Sequence, residues 1–185
     1  MTGKLFIVSG PSGVGKDTII EKVCKLDPSL YRCITMTTRD PRFGEVTGVD
    51  YDFVSMEEFE ALSSHDMFLE TAEVHGHWYG TPKMTLDRLL SMGKDVLLKI
   101  DVQGYKSVKT VYPDCVSIFI HPECLEDLES QIRERGDSDE DSISCRLEDA
   151  RYEIEQCDTY DYEVVNRDVV ESVCVIKKII EGERY

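Results

Sequence analysis

The stretch Leu5-Phe6-Ile7-Val8, followed by Gly10-Pro11-Ser12-Gly13-Val14-Gly15-Lys16, decides the fold. A short apolar run reads as a buried strand, and the glycine-rich turn leaving it reads as a phosphate cradle. Gly10, Gly13 and Gly15 admit backbone conformations closed to other residues and bring amide N–H groups close to an anion. Lys16 adds a mobile positive charge for β and γ phosphates. The next residues, Asp17 to Leu26, read as a helix whose positive dipole end faces the same anion. The residue after the lysine of such a loop is usually Ser or Thr, whose hydroxyl ligates Mg²⁺; here it is Asp17, with Thr18 one step later. Two readings of Asp17 stand side by side: a carboxylate ligand for Mg²⁺, or a cap for the helix.

The 185 residues suit one globular domain with small lobes and are enough to bury a substantial core. There are 21 basic and 37 acidic side chains, a formal net charge of −16. That balance argues against a nucleic-acid or anionic-membrane surface, so a phosphate ligand must be met by a local basic cluster or a metal. The seven cysteines form no Cys-x-x-Cys pair and are odd in number, which suggests neither a zinc site nor a disulfide framework. The reading is a cytoplasmic protein: no charged-then-apolar leader opens the chain, and no apolar run approaches the ~18 residues of a membrane span.

Apolar runs at Leu5 to Val8, Val96 to Ile100, Val116 to Ile120 and Tyr162 to Val165 have the character of buried parallel strands. Helical patterns fall at Asp17 to Leu26, Lys83 to Met92, Tyr105 to Val111, Leu125 to Glu134, Ser142 to Gln156 and Val169 to Glu181. Their alternation predicts an α/β fold, a central parallel sheet flanked by helices. Thr81-Pro82 predicts a cap before a first-turn proline, and Ser55-Met56-Glu57-Glu58 a capping box. Two segments break the alternation. Cys33 to Gly80 reads as an inserted lobe of short strands with one small helix, Met56 to Ser63. Arg133 to Arg146 carries Gly-Asp-Ser-Asp-Glu-Asp between arginines and reads as a mobile lid.

Inside that lobe, Thr37-Thr38-Arg39-Asp40-Pro41-Arg42 precedes Gly44-Glu45 and Asp50-Tyr51-Asp52-Phe53. Two guanidinium forks and a phenol suit a phosphate monoester. With these residues the chain resembles guanylate kinases over essentially its whole length. Further blocks are Phe68-Leu69-Glu70, Gly76-His77-Trp78-Tyr79-Gly80-Thr81, Ile100-Asp101-Val102-Gln103-Gly104, Arg135-Gly136 with Arg146-Leu147, and Val164-Val165-Asn166.

The resemblance implies the fold of nucleoside monophosphate kinases with a phosphate-binding loop: a core of residues 1–32, 82–125 and 152–185, a GMP-binding lobe of 33–81 and a lid of 126–151. It implies that Arg39, Arg42, Tyr51 and Tyr79 hold the GMP phosphate, that Glu70 and Asp101 read the guanine edge, and that Thr35 and Thr81 stand where the family uses hydroxyls on the base. For ATP it implies Gly10, Ser12, Gly13, Val14, Gly15, Lys16, Asp17, Thr18 and Asn166, with Mg²⁺ carried by the nucleotide. Lys16, Arg135 and Arg146 are then the catalytic cations, and ATP and GMP the small-molecule substrates. An ionised carboxylate accepts from guanine N1–H and its N2 amine, whereas adenine lacks that amine and has an acceptor at N1, so the pairing selects guanine.

Lys99 departs from the family, which usually has an acidic residue two before Asp101; its appearance together with Asp17 suggests an exchange of charge between loop and strand. Met36 stands where His is common, and Arg167 replaces the usual acidic residue after Asn166. Two alternatives remain at this stage. Ribose 1,5-bisphosphate phosphokinases share the Gly15-Lys16-Asp17 ending, and non-catalytic guanylate-kinase-like domains bind peptides.

Overall fold

The computed structural model describes residues 2–134 and 140–184. Five strands form one parallel sheet: β1 (Leu5–Ser9), β2 (Leu30–Cys33), β7 (Asp95–Lys99), β8 (Val116–Pro122) and β9 (Tyr162–Asn166), in the order β2-β7-β1-β8-β9. On the central strand, Leu5 pairs with Val96 of β7 and Phe6 with Val116 of β8. Successive β1 side chains point to opposite faces, and both faces are covered. Phe6 and Val8 pack with Ile19, Ile20, Leu128 and Ile176, whereas Leu5 and Ile7 pack with Leu98, Tyr105 and Phe119. Double coverage explains why β1 is continuously apolar instead of alternating.

The covering helices are α1 (Lys16–Leu26), α3 (Lys83–Ser91), α4 (Val102–Val111), α5 (Leu125–Glu134), α6 (Glu140–Glu155) and α7 (Val169–Glu183). A smaller sheet, β4-β3-β6-β5, is inserted between β2 and α3; it comprises β3 (Met36–Thr37), β4 (Asp52–Phe53), β5 (Phe68–Val74) and β6 (His77–Pro82), with α2 (Met56–Ser64) alongside. The capping box at Ser55 is present: its hydroxyl accepts from Glu58 N at 3.1 Å, and Glu58 accepts from Ser55 N at 3.0 Å. Trp78 packs beside Phe59 in this lobe, ring centroids 6.1 Å apart.

Four sequence expectations need correction. The core strand β2 has no clear apolar run, because an edge strand of four residues with Tyr31 exposed and Arg32 half-buried shows too little pattern; its last residue, Cys33, pairs with Leu98 of the core. Helix α3 begins at Lys83 with Pro82 as its unassisted cap, because the Thr81 hydroxyl goes to a buried carboxylate instead. Helix α4 begins at Val102 rather than Tyr105, since Asp101 caps it by accepting from Gly104 N at 2.8 Å. The cap of α1 is Gly15, at φ 89°, with no side-chain bond, which removes the capping reading of Asp17. Among the described residues no helix is long and apolar enough to cross a membrane.

Candidate active site

The loop between β1 and α1 lies at the carboxyl end of the parallel sheet, where open α/β sheets take ligands. Gly10 has φ 147°, and a β-carbon there would stand 2.3 Å from the Ile120 carbonyl oxygen, so neither the conformation nor the space admits another residue. The Lys16 ammonium donates to the carbonyls of Gly10 and, at 2.8 Å, Pro11. From β9, Asn166 Nδ2 donates to the Val14 carbonyl at 2.8 Å while its Oδ1 accepts from Ser172 on α7 at 2.9 Å. A separate hollow behind the loop is lined by Val14, Pro122, Asp127, Asn166 and Arg167.

In front of the loop a cavity of about 150 Å³ opens between the two sheets. Its walls include Gly10, Ser12, Gly13, Gly15, Lys16 and Asp17 from the loop side and Arg39, Arg42, Tyr51 and Tyr79 from the lobe. Arg39 is anchored by Glu45, whose Oε1 accepts from Nη2 at 2.9 Å while Oε2 accepts from Arg42 N at 2.7 Å. The Arg39 guanidinium carbon also lies 5.6 Å from the Tyr51 ring centroid and 5.7 Å from that of Phe53. Tyr79 meets Tyr51 edge-on at 5.8 Å.

The cavity floor carries carboxyl groups. Glu70 is 7% exposed, and its Oε1 accepts from Thr81 Oγ1 at 2.5 Å. Burial pushes its pKa up to about 7, with Asp101 adding to the rise and the Thr81 bond opposing it. Burial likewise raises Asp101, against the backbone bond from Gly104. Glu153 of α6 reaches the same cavity; burial raises its pKa above the ordinary carboxylate range, and its Oε2 has no hydrogen-bond partner among the described residues.

Beside the loop, Lys99 at the end of β7 is 8% exposed. Its ammonium donates to Asp17 Oδ1 and, at 2.5 Å, to the Tyr51 hydroxyl oxygen. Arg32 Nη2 of β2 stands 3.6 Å from the same Asp17 oxygen and donates to the Asp50 carbonyl at 3.0 Å.

One cavity therefore contains a triphosphate-type loop, a cluster of guanidinium and phenol groups, and buried carboxyls. A family model described as guanylate kinase matches residues 2–183. The chain belongs to the guanylate kinase family. A guanylate kinase of Thermus thermophilus is 47% identical over all of this chain and 83% of its own length. One from Carboxydothermus hydrogenoformans is 42% identical over 98% of the chain and 89% of its own length. The crystal structure of guanylate kinase from Anaplasma phagocytophilum superposes with a TM-score of 0.82 at 35% identity, covering 98% of this chain and 86% of that one. A shikimate kinase from Bacteroides thetaiotaomicron, 12% identical with a TM-score of 0.52, shares the fold alone.

Of the residues that guanylate kinase resemblance singles out, Thr35, Arg39, Arg42, Tyr51, Glu70, Tyr79, Asp101 and Arg146 line the same cavity as the loop. Thr81 is fully buried behind Glu70, its hydroxyl spent on that carboxylate. Val14 and Asn166 face the second hollow, Thr18 is exposed on α1 and lines neither space, and Arg135 lies outside the described residues. Glu45 and Glu153 carry no expectation from the sequence. Glu45 sits within a motif of the family, whereas Glu153 is one acid among many on a polar helix and gives no signal. His75 turns at φ 50° and brings Nδ1 within 3.3 Å of Asp149 on α6. Ligand atoms of His121, Cys157 and Glu163 gather within 4.8 Å of one another, with His121 Nε2 2.9 Å from Glu163 Oε2.

Proposed function

We propose that this guanylate kinase transfers the γ-phosphoryl group of ATP to GMP, and to dGMP, giving ADP and GDP or dGDP. The observation that carries the reading is the shared cavity, lined by Gly10, Ser12, Gly13, Gly15, Lys16 and Asp17 as well as by Arg39, Arg42, Tyr51 and Tyr79. The loop amides and Lys16 hold the β and γ phosphates; the arginines and phenols hold the phosphate of GMP; Glu70 and Asp101 accept from the guanine edge. Residues 33–81 act as the GMP lobe, 126–151 as the lid, and the remainder as the core. Asn166 and the hollow around it take the adenine end. The enzyme works in the cytoplasm on free nucleotides, without nucleic acid or membrane.

The chemistry needs no general base. A phosphate monoester has its second pKa near ~6, so GMP is mostly dianionic at neutral pH and its oxygen attacks the γ phosphorus without first losing a proton. What remains is to bring two anions together and to stabilise charge spreading over the transferred group, which falls to Lys16, Arg146 and Arg135. Closure of lid and lobe excludes water and limits wasteful hydrolysis.

Mg²⁺ arrives with ATP. Asp17 fits it in part: its side chain is 61% exposed and lines the cavity beside the loop, although Lys99 and Arg32 already meet its Oδ1. Magnesium is commonly held by one or two carboxylates together with substrate phosphates, and it would neutralise charge between the β and γ groups.

The reading is tested by following ADP formation from ATP with GMP, dGMP, AMP and ribose 1,5-bisphosphate in parallel. Rapid turnover with GMP and dGMP and none with the other two is expected. Turnover with the ribose bisphosphate alone, or with none of the four, would overturn it.

A further inference from the structure

Lys99 is the least expected side chain in the cavity wall. Lys99 is buried while the Asp17 side chain is 61% exposed, so the desolvation of the ammonium is set against an attraction weakened by solvent, and the pair alone is a poor source of stability. Lys99 and Asp17 must therefore be accounted for by what the lysine touches besides Asp17. That contact is the hydroxyl oxygen of Tyr51, 2.5 Å away, and the ammonium also lies 4.2 Å from the Tyr51 ring centroid.

The donor and acceptor arithmetic is asymmetric. An ammonium only donates, so toward Lys99 the Tyr51 oxygen acts as acceptor, and its own O–H is directed elsewhere. The ring is held on its other sides by Tyr79 edge-on at 5.8 Å, Phe53 at 5.9 Å and the Arg39 guanidinium at 5.6 Å. Tyr51 lines the cavity together with Arg39, Arg42 and Tyr79. Burial raises the Tyr51 pKa, so the group keeps the proton it would donate. Burial opposes the Lys99 charge, but Tyr51 and Asp17 outweigh it and hold the lysine pKa above its ordinary value.

We propose that Lys99 is a positioning residue for the GMP phosphate: pinned by Asp17 on the loop helix, its ammonium holds the Tyr51 oxygen so that the hydroxyl proton points at the phosphate in the lobe. The inference rests on the function proposed above and adds a link from the phosphate loop to the acceptor lobe through Asp17, Lys99 and Tyr51. Arg32, which meets Asp17 and the carbonyl next to Tyr51, braces the same link.

The test measures binding to the full chain in EDTA, without ATP, using GMP and guanosine as paired probes. Lys99→Met is expected to weaken GMP about tenfold while guanosine, which has no phosphate, stays within about twofold, and Lys99→Arg to restore most of the loss, as one charge-assisted hydrogen bond would. Tyr51→Phe removes the hydroxyl without stranding a charge and should show the same GMP-selective loss, with the double variant within about twofold of either single one, the signature of residues acting as a unit. Unchanged GMP affinity in either single variant, equal weakening of both probes, or losses that multiply would each sink the proposal. If Lys99→Met does not fold, Lys99→Arg and Tyr51→Phe decide the matter: a Tyr51→Phe chain that binds GMP normally leaves no hydroxyl for Lys99 to position. A wild-type chain that binds neither probe would instead count against the function proposed above.

Discussion

A β-carbon on Gly104 would stand 2.7 Å from Oε2 of Glu70. Gly104 sits in the first turn of α4, where alanine would otherwise favour the helix by about 1 kcal/mol. Glycine is thus kept at a position where local preference opposes it, and the side chain that requires the space is the one proposed to read guanine. Gly104→Ala should push Glu70 off its place while leaving the fold as stable as before or more so. The expected result is a KM for GMP raised about tenfold, with a melting temperature unchanged or higher. Steady-state kinetics and a thermal melt on the same preparation check this, and a drop in melting temperature with normal KM would contradict it.

Glu70 titrates near neutrality before it meets substrate, since burial holds its pKa at about 7. Guanine donors favour its ionised form, so GMP binding should expel roughly half a proton from this group at pH 7 and less at pH 8. Calorimetry in buffers of different ionisation enthalpy measures the release, and Glu70→Gln should remove the component centred near pH 7. The same substitution replaces one acceptor by a donor and should cost on the order of ten- to hundredfold in GMP affinity.

The sign for stability follows from the same group. Folded Glu70 keeps a proton up to about pH 7, whereas unfolded it releases one near its ordinary value of 4.5. Between these values the folded state binds more protons, so stability falls as pH rises. Glu70→Gln should therefore gain on the wild type as pH climbs from about 4.5 to 7, by on the order of 2–3 kcal/mol at most. Urea unfolding of both proteins across that range is the measurement; a constant difference would refute the buried, protonated acid.

Lys16 and Glu45 should separate cleanly in kinetics. Lys16→Ala removes a cation that serves the transferred group, with kcat lowered about 10²- to 10³-fold and GMP binding nearly unchanged. Glu45→Ala releases Arg39 and the backbone of Arg42 from their shared anchor. Its expected effect is the reverse, a KM for GMP raised about tenfold with kcat largely kept.

Legibility from sequence followed the range of the interactions. The loop and its flanking strand and helix are local, with the glycines, the lysine and the apolar run adjacent, and the core alternation was readable for the same reason. The lobe was readable as an insertion because turn residues and short strands interrupt that alternation. The strand β2 was not, since four residues at a sheet edge carry no period. Asp17 and Lys99 were each visible as departures, but their contact joins residues 82 apart and is made by strand order, which no local pattern encodes. Glu153 was hidden for a related reason: its carboxyl differs from its acidic neighbours only in what the folded cavity does to it.

The bond from Asn166 to the Val14 carbonyl joins positions separated by 152 residues. During translation the amide that clamps the glycine-rich turn follows it by 152 residues. A nascent chain stalled before residue 166 therefore carries the complete loop sequence without its clamp.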